Sequence, residues 1–276
     1  MEEIALPGGR TVQLWAGGAA SERTVLVCHG TPDTRWVART GASAATAAGV
    51  RLVGLNRPGY GTSTPSDSTM PSVADDAAAV LDLLGIDRVA VVGMSVGGAY
   101  AAALAARHPG RVTALAVVAA PRETRTTTGP VVAGMERARP ELEEWAAGVH
   151  VADPDDAALA DRWLGALPPE DAALLRASCS TAEVAASARE ALACHDGYLR
   201  DAALLLSDWG FALSDVRCPT RLWYGAHDDR NPPETGRWWA DRIAGAELTV
   251  TPTTHLATLI QNWPAILAAL STMPTP

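Results

Sequence analysis

Eighteen consecutive residues, Val89 to Ala106, carry no formal charge, a length that would satisfy a rule for membrane-spanning helices. Their composition argues for something else. Val89–Gly93 is β-branched, the later part is mostly alanine, and Gly93, Gly97 and Gly98 surround a single serine, Ser95. A strand, a sharp turn and a buried helix account for that change of character.

The rest of the chain repeats the alternation. Strand-like runs occur at Thr11–Trp15, Thr24–Cys28, Val50–Leu55, Val112–Ala119, Thr220–Tyr224 and Glu247–Thr251. Helical spacing fits Pro71–Leu84, which ends at Gly85, and Val96–Arg107, which stops before Pro109. Two later helices are expected over Glu234–Ile243 and Trp263–Leu270. Apolar strands alternating with helices predict an α/β fold, a mostly parallel central sheet with helices on both faces. Between Pro121 and Asp215 no strand is legible and amphipathic helices follow one another. Asp153-Pro154 reads as an N-cap with proline in the first turn, and Leu159, Trp163 and Leu167 fall on one face. Ser180 and Glu183 read as a capping box ahead of Val184, Ala188 and Leu192. The expected organisation is therefore a core of residues 1–120 and 215–276, with 121–214 forming an α-helical cap, or lid.

At 276 residues, 48% hydrophobic and 19% charged, the chain has a globular composition. Its 22 basic residues, all arginine, face 31 acidic ones, and a net charge of −9 disfavours nucleic acid or an anionic membrane as partner. Residues 122–214 hold 16 acidic residues and 8 arginines, nearly all of that excess, so the expected substrate is a small molecule, neutral and fairly apolar. Cys28, Cys179, Cys194 and Cys218 lack the spacing of a zinc or redox motif, and neither metal nor cofactor is expected. The acidic start, Met-Glu-Glu-Ile, does not resemble a signal peptide, which makes a cytoplasmic location the expectation.

Gly93-Met94-Ser95-Val96-Gly97 is a G-x-S-x-G sequence set between a strand and a helix, the context in which the motif presents a nucleophilic serine. Close packing at the turn demands small residues on both flanks, and the helix N-terminus points at the hydroxyl. Serine needs a base and the base an orienting acid. Of six histidines, His255 follows the last strand run, where active-site groups gather in open α/β sheets, and is expected on a loop. His29 and His108 read as structural, His150 and His195 fall in the lid, and His227 abuts the candidate acid. That acid is Asp228, after Thr220–Tyr224, with its neighbour Asp229 as the rival. Two backbone N–H groups should hold the oxyanion: Val96, after the nucleophile, and Thr31, since Pro32 has none. Trp36, Trp145 and Trp163 are the tryptophans singled out as walls of the site.

With these pieces placed, the chain resembles the α/β-hydrolase superfamily, specifically its capped serine hydrolases of esterase type. The likeness rests on His29-Gly30-Thr31-Pro32, Arg57-Pro58-Gly59-Tyr60-Gly61-Thr62-Ser63, Gly93–Gly98, Gly225-Ala226-His227-Asp228 and Thr254-His255-Leu256. It implies a Ser-His-Asp triad and an acyl-enzyme, with the lid where the family inserts its cap. Asn56 stands where many relatives have aspartate, and a change of loop hydrogen bonding is expected from it. A serine nucleophile argues against the dehalogenase and epoxide hydrolase branches, and the patterns of proline iminopeptidases are missing. Cleavage of an ester, a lactone, a thioester or a carbon–carbon bond, peroxide exchange, and a non-hydrolytic ligand-binding or cyclase-type scaffold on this fold, all stay open at this level.

Overall fold

In the computed structural model, which describes residues 3–272, the chain begins with β1 (Glu3–Ala5), β2 (Thr11–Gly18) and β3 (Thr24–Cys28). A 3-10 turn (Arg35–Gly41), α1 (Ala42–Ala48), β4 (Arg51–Leu55), α2 (Met70–Leu83), β5 (Val89–Met94), α3 (Gly97–Arg107) and β6 (Val112–Val118) follow. Then come α4 (Val131–Val149), α5 (Asp156–Gly165), α6 (Pro169–Ser178), α7 (Thr181–Ala191) and α8 (Asp196–Leu205). The chain closes with β7 (Thr220–Gly225), α9 (Pro233–Ala240), β8 (Glu247–Thr251) and α10 (His255–Thr272).

All eight strands form one sheet in the order β1-β2-β4-β3-β5-β6-β7-β8. The first two run antiparallel to their neighbours, and β4, β3, β5, β6, β7 and β8 are mutually parallel. Alternation along each strand divides its side chains between two cores. Leu26, Val53, Val91, Leu115, Val117 and Leu222 pack on one face with α2, α3 and α9. Val25, Val27, Leu52, Val92, Ala116 and Val118 pack on the other with α1 and α10. Because both faces are covered at the centre of the sheet, β3, β5 and β6 are almost wholly apolar and buried, which is what made them readable as runs.

The uncharged stretch 89–106 is thus a strand and a helix at the centre of the sheet. Among the described residues no helix is long and apolar enough to cross a membrane. Helices α4–α8 lie between β6 and β7 and share a separate apolar cluster built on Leu142, Leu159, Trp163, Val184, Ala188 and Leu199. The Ser180–Glu183 capping box is present, as is left-handed Gly85 after α2 (φ 68°). Several local expectations differ from the structure. The cap of α5 is Asp155, which accepts from the Ala157 and Ala158 N–H groups, whereas Asp153 accepts from Asp155 and Arg162. Strand β1, the 3-10 turn and α1 were not foreseen. Helix α10 starts at His255 rather than Trp263, so His255 is the first residue of a helix and not part of a loop.

Candidate active site

The nucleophile turn follows from the packing of β5 against α3. A side-chain carbon at Gly97 would drive into the carbonyl oxygens of Cys28 and His29, and one at Gly93 into the backbone of Gly97 and Gly98. With both positions bare, the chain turns sharply, and Ser95 adopts φ 53°, a region that costs an L-residue of order 1 kcal/mol or more. The turn is held by two bonds, Ser95 N–H to the Val118 carbonyl (2.8 Å) and Gly98 N–H to the Ser95 carbonyl (2.8 Å).

The other groups come from the same edge of the sheet. Asp228, after β7, is buried, and its Oδ1 accepts from the N–H groups of Arg230 (2.9 Å) and Asn231 (3.1 Å). Its Oδ2 meets His255 Nδ1 at 2.7 Å. Burial pushes this carboxyl up, but the His255 bond and charge and the two N–H donors together outweigh it, so it is held below the usual carboxylate range. An ionised acceptor fixes the proton on Nδ1 and leaves the Nε2 lone pair free. Asp229, one residue on, is exposed.

Ser95, His255, Gly30 and Thr31 line one cavity of about 440 Å³. Ser95 Oγ makes no hydrogen bond to a described residue, so the hydroxyl and the imidazole share the space without being joined. The N–H groups of Thr31 and Val96 likewise have no protein acceptor among the described residues. Trp36, Trp145 and Trp163 all lie on the cavity wall, with Leu142, Leu175, Val184, Tyr198 and Leu256. Trp145 packs between Trp163 (5.6 Å between ring centres) and Tyr198 (6.1 Å). Its charged lining is Asp33, Glu141, Asp171 and Glu183 against Arg230.

Sequence reasoning missed the polar frame around this cavity. Arg57 donates to the carbonyls of His29 and Gly30 and to Asp201 of α8. His29 is buried, its Nδ1–H donating to the Gly30 carbonyl and its Nε2 accepting from the Arg57 N–H, and burial and the Arg57 charge hold it neutral. Asn56 accepts from the Arg35 N–H and donates to Glu190 of α7 at 2.9 Å. An aspartate there would face Glu190 with a like charge, which accounts physically for the departure at this position. The one available signal was the placement of Asp201 and Glu190 on otherwise apolar helix faces.

Asp33 was also passed over. It lines the cavity two residues beyond Thr31, and one of its oxygens accepts from the Thr34 N–H (2.8 Å). A side-chain carbon added at Gly30 would lie 3.3 Å from Ser95 Cβ and 3.9 Å from Asp33 Cβ. Burial lifts its pKa to about 7, against the opposing pull of the Thr34 N–H and the Arg57 charge. A carboxyl whose folded pKa is raised favours the fold only in its protonated form. Its contribution therefore falls as pH climbs from about 4 to about 7 and stays unfavourable above that. The three-unit rise corresponds to at most about 4 kcal/mol. Asp33→Asn, which keeps the Thr34 bond, is expected to raise Tm by several degrees at pH 8 and hardly at all at pH 4. Thermal melts at the two pH values check it, and an equal shift at both would refute the assignment.

A family model for the alpha/beta hydrolase fold matches residues 23–259. The chain is 33% identical over 242 residues to a pimeloyl-[acyl-carrier protein] methyl ester esterase from Chromobacterium violaceum, covering 85% of this chain and 87% of the relative. Among solved structures, an alpha/beta hydrolase fold protein from Nakamurella multipartita superposes with a TM-score of 0.66 at 27% identity, covering 98% of each chain. A thioesterase domain from the curacin biosynthetic pathway superposes with a TM-score of 0.71 at 20% identity, covering 99% of each chain. With the match extending from before β3 to beyond His255, the chain belongs to the alpha/beta hydrolase family and is a hydrolase of that fold.

Proposed function

We propose that this protein is a serine hydrolase that cleaves an ester-like bond of a small acyl substrate through an acyl-enzyme, with Ser95 as nucleophile, His255 as base and Asp228 as orienting acid. The observation that carries this reading is the 2.7 Å bond from His255 Nδ1 to buried Asp228, beside a serine held at φ 53° on the same cavity. His255 Nε2 takes the Ser95 proton as Oγ attacks the carbonyl carbon. The oxyanion is received by the N–H groups of Thr31 and Val96, aided by the positive end of α3. The imidazolium keeps its Nδ1–H on Asp228 and returns the other proton to the departing alkoxide. Water repeats the cycle: His255 takes its proton, hydroxide adds to the acyl carbon, and Ser95 Oγ leaves with the proton restored.

In this reading α4–α8, within residues 121–214, form a cap that closes the cavity and excludes water from the acyl group. The mostly apolar wall suits a small, fairly apolar acyl chain. Glu141, Asp171 and Glu183 facing one arginine on the lining disfavour an anionic one, with Asp33 joining them as pH rises past about 7. The four cysteines are unpaired, which suits a reducing, cytoplasmic setting.

Labelling with a fluorophosphonate, followed by peptide mass mapping, tests the proposal. The expected result is one adduct on Ser95 and loss of p-nitrophenyl acetate hydrolysis in step with labelling. Folded protein that acquires no adduct at Ser95 would overturn it. A panel of lactones and acyl thioesters on the active protein then ranks the bond types.

A further inference from the structure

Two buried carboxyl groups reach from the helices between β6 and β7 into the loops that carry the proposed machinery. The first is Asp201 of α8, 2% exposed. Its Oδ2 accepts from Thr31 Oγ1–H (2.5 Å), Tyr60 OH (2.6 Å) and Arg57 Nη2 (2.6 Å), and its Oδ1 accepts from Tyr100 OH (2.6 Å). Burial and the Asp201 charge push both phenols well above their usual range, so both remain donors. Arg57, pinned by Asp201, donates in turn to the Gly30 carbonyl (2.8 Å) and to Thr31 Oγ1 (3.1 Å). The loop bearing the Thr31 N–H is thus tied back from both its carbonyl and its hydroxyl.

The second is Asp171 at the start of α6, 1% exposed. Its Oδ1 accepts from the Ala257 N–H (2.8 Å) and from Thr254 Oγ1–H (2.7 Å). A helix begins with N–H groups that have no partner inside it, and an acidic group there satisfies one of them and favours the helix dipole. Asp171 supplies that group for α10, whose first residue is His255. Neither carboxyl has a role in the chemistry proposed above, and each of its bonds crosses from the inserted helices to the core.

We propose that Asp201 and Asp171 are positioning residues through which the inserted helices set the two halves of the site, Asp201 aligning the Thr31 N–H and Asp171 aligning His255. The proposal rests on the serine-hydrolase reading for its kinetic consequences, but not for the geometry it asserts. An oxyanion donor acts on charge that develops in the transition state, so misplacing it lowers kcat more than it raises KM.

Thr31→Val removes the hydroxyl tether while leaving the Arg57–Asp201 pair intact, and so avoids stranding a buried charge. The expected result is a fall in kcat of at least 10-fold and up to the order of 10²-fold, with KM changed less than about 3-fold. Thr31→Ser, which keeps the hydroxyl, should restore most of it. Affinity for a boronic acid transition-state analogue should fall in proportion to kcat. Asp201→Asn is expected to lower kcat further, and Asp171→Asn to lower kcat through the placement of His255. Amide hydrogen exchange gives a readout that needs no turnover: peptides over 29–33 should exchange faster in Thr31→Val, and those over 253–259 faster in Asp171→Asn. Wild-type kcat in Thr31→Val, failure of Ser to rescue, or unchanged exchange in both segments would overturn the proposal. An inactive wild type with no label on Ser95, but with the exchange changes present, would overturn the hydrolase reading and leave the positioning geometry standing.

Discussion

Ser95→Ala is expected to lower kcat for p-nitrophenyl ester hydrolysis by roughly 10⁶-fold, with KM close to that of the parent. The turn should survive the change, because its conformation is held by backbone bonds to Val118 and Gly98 and by bare glycines on either side, none of which involves the hydroxyl. What remains should still exceed the reaction in water, since the Thr31 and Val96 N–H groups stay in place to meet a developing oxyanion. Stopped assays at high enzyme concentration, with circular dichroism as the folding control, make the comparison. A folded alanine variant keeping more than about 1% of the parent's kcat would remove Ser95 from the mechanism.

Asp228→Asn tests a different joint, and a loss of about 10⁴-fold in kcat is expected from it. The asparagine oxygen can still accept from Arg230 and Asn231, so the loop after β7 keeps its shape. Its amide nitrogen, however, would donate to His255 Nδ1. That fixes the proton on Nε2, the nitrogen that must accept from serine. Asp229→Asn, a change at the exposed neighbour, is the matched control and should retain at least half the parent activity. The carboxyl of Asp228 sits below the usual carboxylate range, so its part in stability is full above about pH 4 and is lost as pH falls through its folded pKa. Parity between the two asparagine variants would break the assignment of Asp228.

The residues expected to do the chemistry were readable because each follows a strand at the edge where the parallel sheet delivers its loops. Runs such as Thr24–Cys28 and Glu247–Thr251 have in the structure the bounds read from sequence: the first is buried and apolar, and the second, an exposed edge strand, alternates threonine with leucine and valine, both short local signatures. What was illegible depends on distant partners. The start of α10 has a cap-type residue in Thr254, but its hydroxyl is spent as a donor and the capping carboxyl, Asp171, lies 86 residues from the Ala257 N–H that it accepts from. Asp201 stands out on an apolar helix face, but what it serves stays illegible until Arg57, Tyr60, Tyr100 and Thr31 are folded around it. Strand β1, at three residues, is shorter than the roughly 4–8 residues over which alternation becomes legible.

Arg57 belongs to the core motif, yet the group that neutralises it comes from α8. Exchanging the stretch between β6 and β7 for one from another relative, to change substrate preference, would therefore leave a guanidinium stranded in the interior. A transplant of that kind calls for an acidic side chain delivered to the same spot, or for Arg57 to be replaced along with it.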